Sequence, residues 1–352
     1  MIGGGPAGSI CARELARRGH TVVLLERRLV ASPRLGETCG PGLRRALEGD
    51  CGLIVPPPLF SPLPSFFSAW GAAELDNRSF SFWHAGNGMV LDRRAFDEWL
   101  LGEAAAAGVT VLRGCTVTSA RRDENGWLLS GVTGADPVLI PAGFIVEATG
   151  RMVRSVIQPD IMRFFTDDLV CISVEVPGPA SDDPVAAVES CAAGWWYTAR
   201  LPNNRQVIAL FTDADLVAPA GTRLEWLVYL FKTTVHMCRM APGIPNGARV
   251  RVWNARTSVR NVLWRGCWIS IGDAAWCLDP LSGTGIERAV KAGVGGAAAI
   301  SQAMNGGDIE PLRSFTISEA QAFQHSLTVQ HRYYESELRW KKEVFWQRRL
   351  RA

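Results

Sequence analysis

Gly3-Gly4-Gly5-Pro6-Ala7-Gly8, at the head of the chain, runs into Ser9-Ile-Cys-Ala-Arg-Glu-Leu-Ala-Arg-Arg-Gly19 and then Thr21-Val-Val-Leu-Leu-Glu26. The glycines fall in a Gly-x-Gly-x-x-Gly pattern. Ile10, Leu15 and Ala16, with small Ala12, form one apolar face suited to a helix on a sheet. Gly19 fits the helix stop, and Thr21–Glu26 reads as a buried parallel strand ending in an acid. This order suits a dinucleotide. Gly3 makes a tight turn, Gly5 lets the backbone approach a pyrophosphate, and Gly8 lets helix and strand close up. Pro6 and Ala7 open the helix, whose free N–H groups and positive end favour phosphate. Glu26 is placed to accept from ribose hydroxyls, with Arg27 beside it. The strand before Gly3 is reduced to Met1 and Ile2, so the native chain is expected to start a few residues upstream.

Far down the chain, Ile269-Ser-Ile-Gly272-Asp273-Ala-Ala-Trp-Cys-Leu-Asp279-Pro280-Leu-Ser282-Gly283-Thr284-Gly285-Ile286 reads as strand, tight turn, loop and helix start. Two cofactor elements at opposite ends point to one FAD clamped between them. Amphipathic spacing predicts a helix from Leu91 to Gly108, followed by strands at Val109–Leu112 and Phe144–Glu147. Aromatic-rich strands are expected at Ser65–Gly71 and Ser79–Trp83. Short strands broken by Pro, Gly and Asp, such as Leu169–Val176, Gly194–Leu201 and Gln206–Phe211, predict an antiparallel sheet. The expected fold is therefore α/β. A Rossmann-like FAD-binding domain, with a parallel sheet and an antiparallel meander, takes residues 1–50, 90–154 and 252–305. A substrate domain on an antiparallel sheet takes 51–89 and 155–251, and a helical C-terminal region takes 306–352.

Composition narrows the function classes. A net charge of +3 over 352 residues is too small to imply nucleic acid. No apolar run approaches the roughly 18 residues of a membrane span. Nine scattered cysteines, without Cys-x-x-Cys or Cys/His ligand spacing, argue for free thiols, no metal site and a reducing, cytoplasmic address. Lys232, Lys291, Lys341 and Lys342 are the only lysines.

The order of the glycine pattern, the acid-ended strand, Asp92-Arg93-x-x-Phe96-Asp97, Ala148-Thr-Gly150 and Gly272-Asp273 resembles the FAD-dependent monooxygenases of the p-hydroxybenzoate hydroxylase type. Gly36-Glu37-Thr38, Ser68-Ala-Trp70-Gly71, Gly194-Trp195-Trp196-Tyr197 and Asp279–Ile286 resemble one branch of it. That branch holds the flavin-dependent halogenases and the tryptophan-modifying flavoproteins of quinone-cofactor maturation. The tail Tyr333-Tyr334-x-x-Glu337-x-Arg339-Trp340, with Phe345-Trp346-x-Arg348-Arg349, is similar to the same branch. The resemblance implies that Gly272 and Asp273 meet the ribityl chain and that Glu37, Thr38 and Arg93 sit beside the FAD. It further implies that the loop Pro280–Gly285, with its Ser282, Gly283 and Thr284 and the following Ile286, presents backbone N–H groups to the flavin pyrimidine edge.

Halogenases of this type need a lysine to relay hypohalous acid, expected near Phe67–Trp70, where this chain has none. In the tryptophan type a glutamate stands in the loop where this chain has Ser282. Their Trp-x-Trp-x-Ile-Pro motif is replaced here, with Tyr197 and Ala199 at the two Trp positions. The expectation is a monooxygenase that hydroxylates an electron-rich indole or phenol, free or peptide-borne, through a flavin C4a-hydroperoxide. Halogenase, geranylgeranyl-type reductase and non-catalytic FAD-binding protein are the alternatives. Molecular oxygen is a co-substrate, and electrons come from NAD(P)H directly or from a separate flavin reductase. No catalytic residue is assigned. Trp195, Trp196 and Tyr197, with Phe66, Phe67 and Trp70 opposite, are candidates for a substrate wall. His84 and His236 are candidate acid–base groups, Cys39 and Cys277 lie in loops expected near the flavin, and Arg339–Arg349 is expected to form a solvated helix packed by one face.

Overall fold

The computed structural model describes residues 1–30, 34, 37–80, 86–124, 126–179 and 185–350. Gly36 and His84, and the part of the expected strand at 81–83, lie outside the described residues. The short first strand is real and central. Ile2 bridges in parallel to Leu25 on one side and Glu147 on the other. Around it lie Thr110–Arg113, Val23–Glu26, Ile145–Glu147 and Trp268–Ser270, in that order, all parallel. Buried on both faces, these strands read as continuous apolar runs. The meander Cys115–Asp123, Gly126–Thr133 and Asp136–Ala142 forms a separate antiparallel sheet.

The helix Pro6–Arg17 fills one face of the parallel sheet. Pro6 starts it without losing an intrahelical hydrogen bond. The helix Arg93–Ala106 is capped by Asp92, whose side chain accepts from the Ala95 N–H. The 22-residue helix Gly285–Gly306 lies against Pro6–Arg17 because its Gly293 leaves room for the Ala7 carbonyl and Ile10. Both ends of the sequence thus meet at one helix.

A second sheet has seven strands, ordered Arg251–Asn254, Leu169–Pro177, Arg205–Asp213, Gly194–Leu201, Ala186–Cys191, Ser65–Ala69 and Asp76–Ser79. Every pairing is antiparallel except Ala186–Cys191 with Ser65–Ala69. Two details depart from the expected division. Arg251–Asn254 belongs to this sheet, since its residues pair with Val170–Ser173. Phe60–Leu63 pairs instead with Gly88–Leu91, which also takes up Thr38–Cys39.

The C-terminal region is helical, as two helices, Glu310–Glu335 and Val344–Leu350, and the second packs by the face that carries Phe345, Trp346 and Arg349. Phe345 and Trp346 are fully buried among Trp195, Phe211 and Tyr334 on the seven-stranded sheet. The basic groups are consumed there: Arg349 pairs with Asp213 at 2.7 Å and Arg348 with Asp215 at 2.7 Å. Apolar residues at the spacing of one helix turn gave no hint that the surrounding arginines had carboxylate partners more than a hundred positions away. No helix of the described residues is long and apolar enough to cross a membrane. Trp346→Ala should cost about 3–5 kcal/mol in urea unfolding, the range for emptying a large aromatic from a core. A loss under about 0.5 kcal/mol, as at an open surface, would contradict this packing.

Candidate functional site

The glycine loop is built on close backbone contacts. Gly3 has φ +105°, and a Cβ there would lie 2.3 Å from the Ala148 carbonyl oxygen. A Cβ on Gly8 would lie 2.0 Å from the Gly3 carbonyl oxygen. Any side chain at either position would push the helix off the sheet. Gly5 is different, because the nearest atom to its Cβ direction is the Arg34 guanidinium at 3.7 Å. The backbone there faces open space, and the first helical turn carries no acid. This arrangement fits a diphosphate.

Beside it lies a narrow cleft lined by Gly4, Glu26, Arg28, Arg34, Asp97, Glu98, Leu101 and Arg113. Glu26 accepts from the Gly4 N–H at 2.8 Å and the Arg28 N–H at 3.0 Å, which holds its carboxylate at the rim. Arg27 does not line the cleft and is exposed. The strand ends at Glu26, and the bend at Arg27 brings Arg28 in. Sequence reasoning missed Arg28, Arg34 and Arg113, since arginines are abundant here and only the fold selects among them.

Gly272 places the second motif against the first, since a Cβ on it would meet the Ala7 Cβ at 2.7 Å. Asp273 therefore sits next to the glycine loop, but not as a free acceptor. Arg151 Nε donates to one oxygen at 3.2 Å and Arg288 Nη2 to the other at 3.0 Å. Burial works against its charge, yet Arg151, Arg288 and Arg163 outweigh that and hold the carboxyl below its ordinary range. Arg151 also donates to the Arg256 and Leu278 carbonyls, so it ties strand Ile145–Glu147 to the later loop. It stands directly after Thr149-Gly150, a position the sequence displays without giving its partner.

The loop after Asp279 is a single turn, Pro280–Ser282, followed by left-handed Gly283 and the helix from Gly285. Ser282, Thr284 and Gly285 are exposed. Ser282 and Thr284 share a hydroxyl hydrogen bond of 2.9 Å. The Ile286 side chain instead packs in the core with Leu43, Leu47 and Phe96, so only its backbone faces the loop. A Cβ on Gly283 would stand 3.6 Å from the Thr38 carbonyl oxygen, so the loop abuts strand Thr38–Cys39. Across from it, the Tyr197 and Thr38 hydroxyls share a 2.6 Å hydrogen bond. Burial, reinforced by nearby Glu37, pushes the Tyr197 phenol far above its ordinary pKa. Arg93 is buried and forms a 3.2 Å pair with Asp97. It also lines a second, larger pocket with Arg34, Glu37, Ser173, Arg251 and Trp253.

The expected aromatic wall is split. Trp195, Tyr197, Phe66 and Trp70 lie on the sheet face that turns toward this loop. Trp196 and Phe67 belong to the opposite face, beneath the helices Arg223–Lys232 and Met237–Met240. Strand alternation requires this, because neighbours along a strand point to opposite faces. Phe66 and Trp70 also do not stand opposite Trp195, since Ser65–Ala69 is a strand of the same sheet. Trp195 stacks on Phe211 at 3.8 Å, a core contact. Trp253, which does line the second pocket, was missed. His236 binds the Ala73 carbonyl on the outside of the sheet, away from the loop. Cys39 is buried, with its thiol pushed up to about 12, and Cys277 is buried against the Ser258 hydroxyl at 3.2 Å.

Comparison with known proteins agrees with this geometry. Residues 1–37 match the NAD(P)-binding Rossmann-like domain family, and residues 83–348 match the tryptophan halogenase family. LodB of Marinomonas mediterranea, named as an FAD-dependent oxidoreductase, is 27% identical over 99% of this chain and 95% of its own length. Among solved structures, the peptidyl tryptophan dihydroxylase QhpG, essential for tryptophylquinone cofactor biogenesis, superposes with a TM-score of 0.81. It is 23% identical, over 99% of this chain and 77% of that one. The myxobacterial chondrochloren halogenase CndH, an FAD-dependent halogenase, gives 0.84 at 20% identity, over 99% and 84%. With residues 83–348 matched, the chain belongs to the tryptophan halogenase family and is an FAD-dependent oxidoreductase.

Proposed function

We propose that this protein is an FAD-dependent monooxygenase that hydroxylates an electron-rich indole or phenol, including one borne on a peptide. The observation that carries this reading is where the lysines are. Lys232 is exposed on the helix covering the far face of the seven-stranded sheet, and Lys341 and Lys342 are exposed near the C-terminus. Lys291 pairs with Glu287 at 2.5 Å. None is available beside the loop to relay hypohalous acid, and Ser282 stands where the tryptophan type places a glutamate. The likeness to a peptidyl tryptophan dihydroxylase supports a peptide-borne indole.

In this reading Gly3, Gly5, Pro6, Ala7 and Gly8 hold the diphosphate, helped by Arg34, while Glu26 holds the adenosine ribose. Asp273 receives the ribityl hydroxyls on lone pairs left over from its two arginines. The N–H groups between Pro280 and Ile286 offer positive potential to the pyrimidine edge, with Thr38 and Tyr197 closing the opposite side. Reduced FAD supplies the activation of oxygen. The chain's part is to hold the aromatic ring near the flavin and to exclude water. Residues 1–50, 90–154 and 252–305 form the FAD domain, less the strand Arg251–Asn254, which goes with the substrate sheet. Electrons arrive from NAD(P)H or a separate reductase, in the cytoplasm.

With reduced FAD, oxygen and an indole-bearing peptide, the product should gain oxygen and be indifferent to added bromide by mass spectrometry. A brominated product would establish halogenation instead. Asp273→Asn should raise the Kd for FAD by about tenfold or more, the scale of a charge-assisted hydrogen bond. Titration calorimetry showing unchanged affinity would remove Asp273 from the site. The pH dependence follows from the lowered pKa of Asp273. Its pairs are fully formed above the ordinary carboxylate pKa of about 3.9 and are lost only as pH falls through its lower folded value. FAD retention should therefore be flat from neutral pH to about 5, and an Asp273-dependent loss already near pH 6 would contradict the pairing.

A further inference from the structure

The C-terminal segment makes contacts that the proposed chemistry does not use. Tyr334 is buried and donates its hydroxyl to Asp279 at 2.6 Å. The Trp195 indole N–H donates to the same hydroxyl at 3.1 Å. The other Asp279 oxygen accepts from the Leu281 N–H at 3.2 Å, which fixes the start of the Pro280–Gly283 turn. Otherwise the Asp279 N–H donates to the Thr257 hydroxyl at 3.1 Å, Leu281 packs against the aromatic cluster, and the turn keeps its own Gly283-to-Pro280 bond and the exposed Ser282–Thr284 contact.

Three residues further on, fully buried Glu337 accepts from the Gly71 N–H at 2.8 Å and the Ser190 hydroxyl at 2.6 Å. Arg339 neutralises it from Nε at 2.9 Å, and Trp70 donates to the Tyr333 carbonyl at 2.7 Å. One short stretch therefore grips the loop on one side and the Trp70-Gly71 turn on the other. Trp70, Tyr334 and Trp346 lock it, with ring centroids 5.4–5.9 Å apart.

We propose that Tyr334 is a positioning residue: through Asp279 it sets where the Pro280–Gly283 turn holds the Ser282 N–H and the helix start at Gly285, and so how strongly the protein favours reduced over oxidised flavin. This rests on the reading that the turn faces the flavin. Removing the Tyr334 hydroxyl frees the turn without touching any group assigned to contact FAD, so the reduced, negatively charged flavin loses more than the oxidised one.

The test uses the full-length, FAD-loaded protein and its two-electron reduction potential, measured by dye equilibration. Tyr334→Phe should weaken the hold on reduced relative to oxidised FAD about tenfold, a fall of about 30 mV, and should change the visible circular dichroism of the flavin. Trp195→Phe keeps the stack on Phe211 and removes only the donor to Tyr334. It should shift the potential in the same direction by less, and it decides the matter if Tyr334→Phe does not fold. Phe345→Leu loosens the packing of the following helix, Val344–Leu350, without entering the relay, and should lower the unfolding midpoint while leaving the potential alone. An unchanged potential in Tyr334→Phe, with Gly283→Ala shifting it, overturns the role of Tyr334 alone. An unchanged potential in Gly283→Ala as well overturns the placement of the turn at the flavin.

Discussion

The fold depends on how closely bare backbone can approach at the first helix. Gly3 and Gly8 let the helix Pro6–Arg17 sit on the parallel sheet, while Gly272 and Gly293 let the second motif and the long helix Gly285–Gly306 close on Ala7. None of these contacts has room for a Cβ. Steric repulsion rises so steeply that a methyl group at any of them would separate elements that come from opposite ends of the chain. The proposed cofactor cleft depends on this junction being closed, and it opens at Gly5, the one loop glycine of the pattern with open space before it.

Charge is arranged around that junction with unusual economy of lysine. Glu147, wholly buried at the end of its strand, is matched by Arg260 at 2.8 Å and by Ser155, Thr149 and Trp268. A buried carboxylate with that many donors has its oxygens satisfied, whereas one stripped of its partner would be costly. Asp273 is treated similarly by Arg151 and Arg288, but nearer to solvent. Arginine suits these places because its planar fork can bind a carboxylate and backbone carbonyls together, as Arg151 does, or two carbonyls at once, as Arg163 does with Asp273 and Ala274.

The seven-stranded sheet separates two jobs by its pleat. One face, with Trp196 and Phe67, is sealed by the helices Arg223–Lys232 and Met237–Met240. The other, with Trp195, Tyr197 and Trp70, turns to the loop and is partly covered by the returning C-terminus. The returning segment is thus part of the site's wall, and Tyr334 and Glu337, three positions apart, each hold a different side of it.

The dinucleotide loop, the Asp92-capped helix, the meander-bearing α/β class and the strands Leu169–Val176 and Gly194–Leu201 could all be read from the chain. Each rests on local rules, such as glycine spacing, capping and alternation over a few residues. The split of Trp195 from Trp196 was legible too, since period two dictates it, though which face met the loop was not. The partners of Asp273, the selection of Arg28 and Arg34 over Arg27, and the relay from Tyr334 to Asp279 belong to the tertiary structure alone. Those pairings join residues up to 122 positions apart, and no local pattern records which of many arginines, or which of two adjacent tyrosines, the folded chain will bring within reach of a carboxylate.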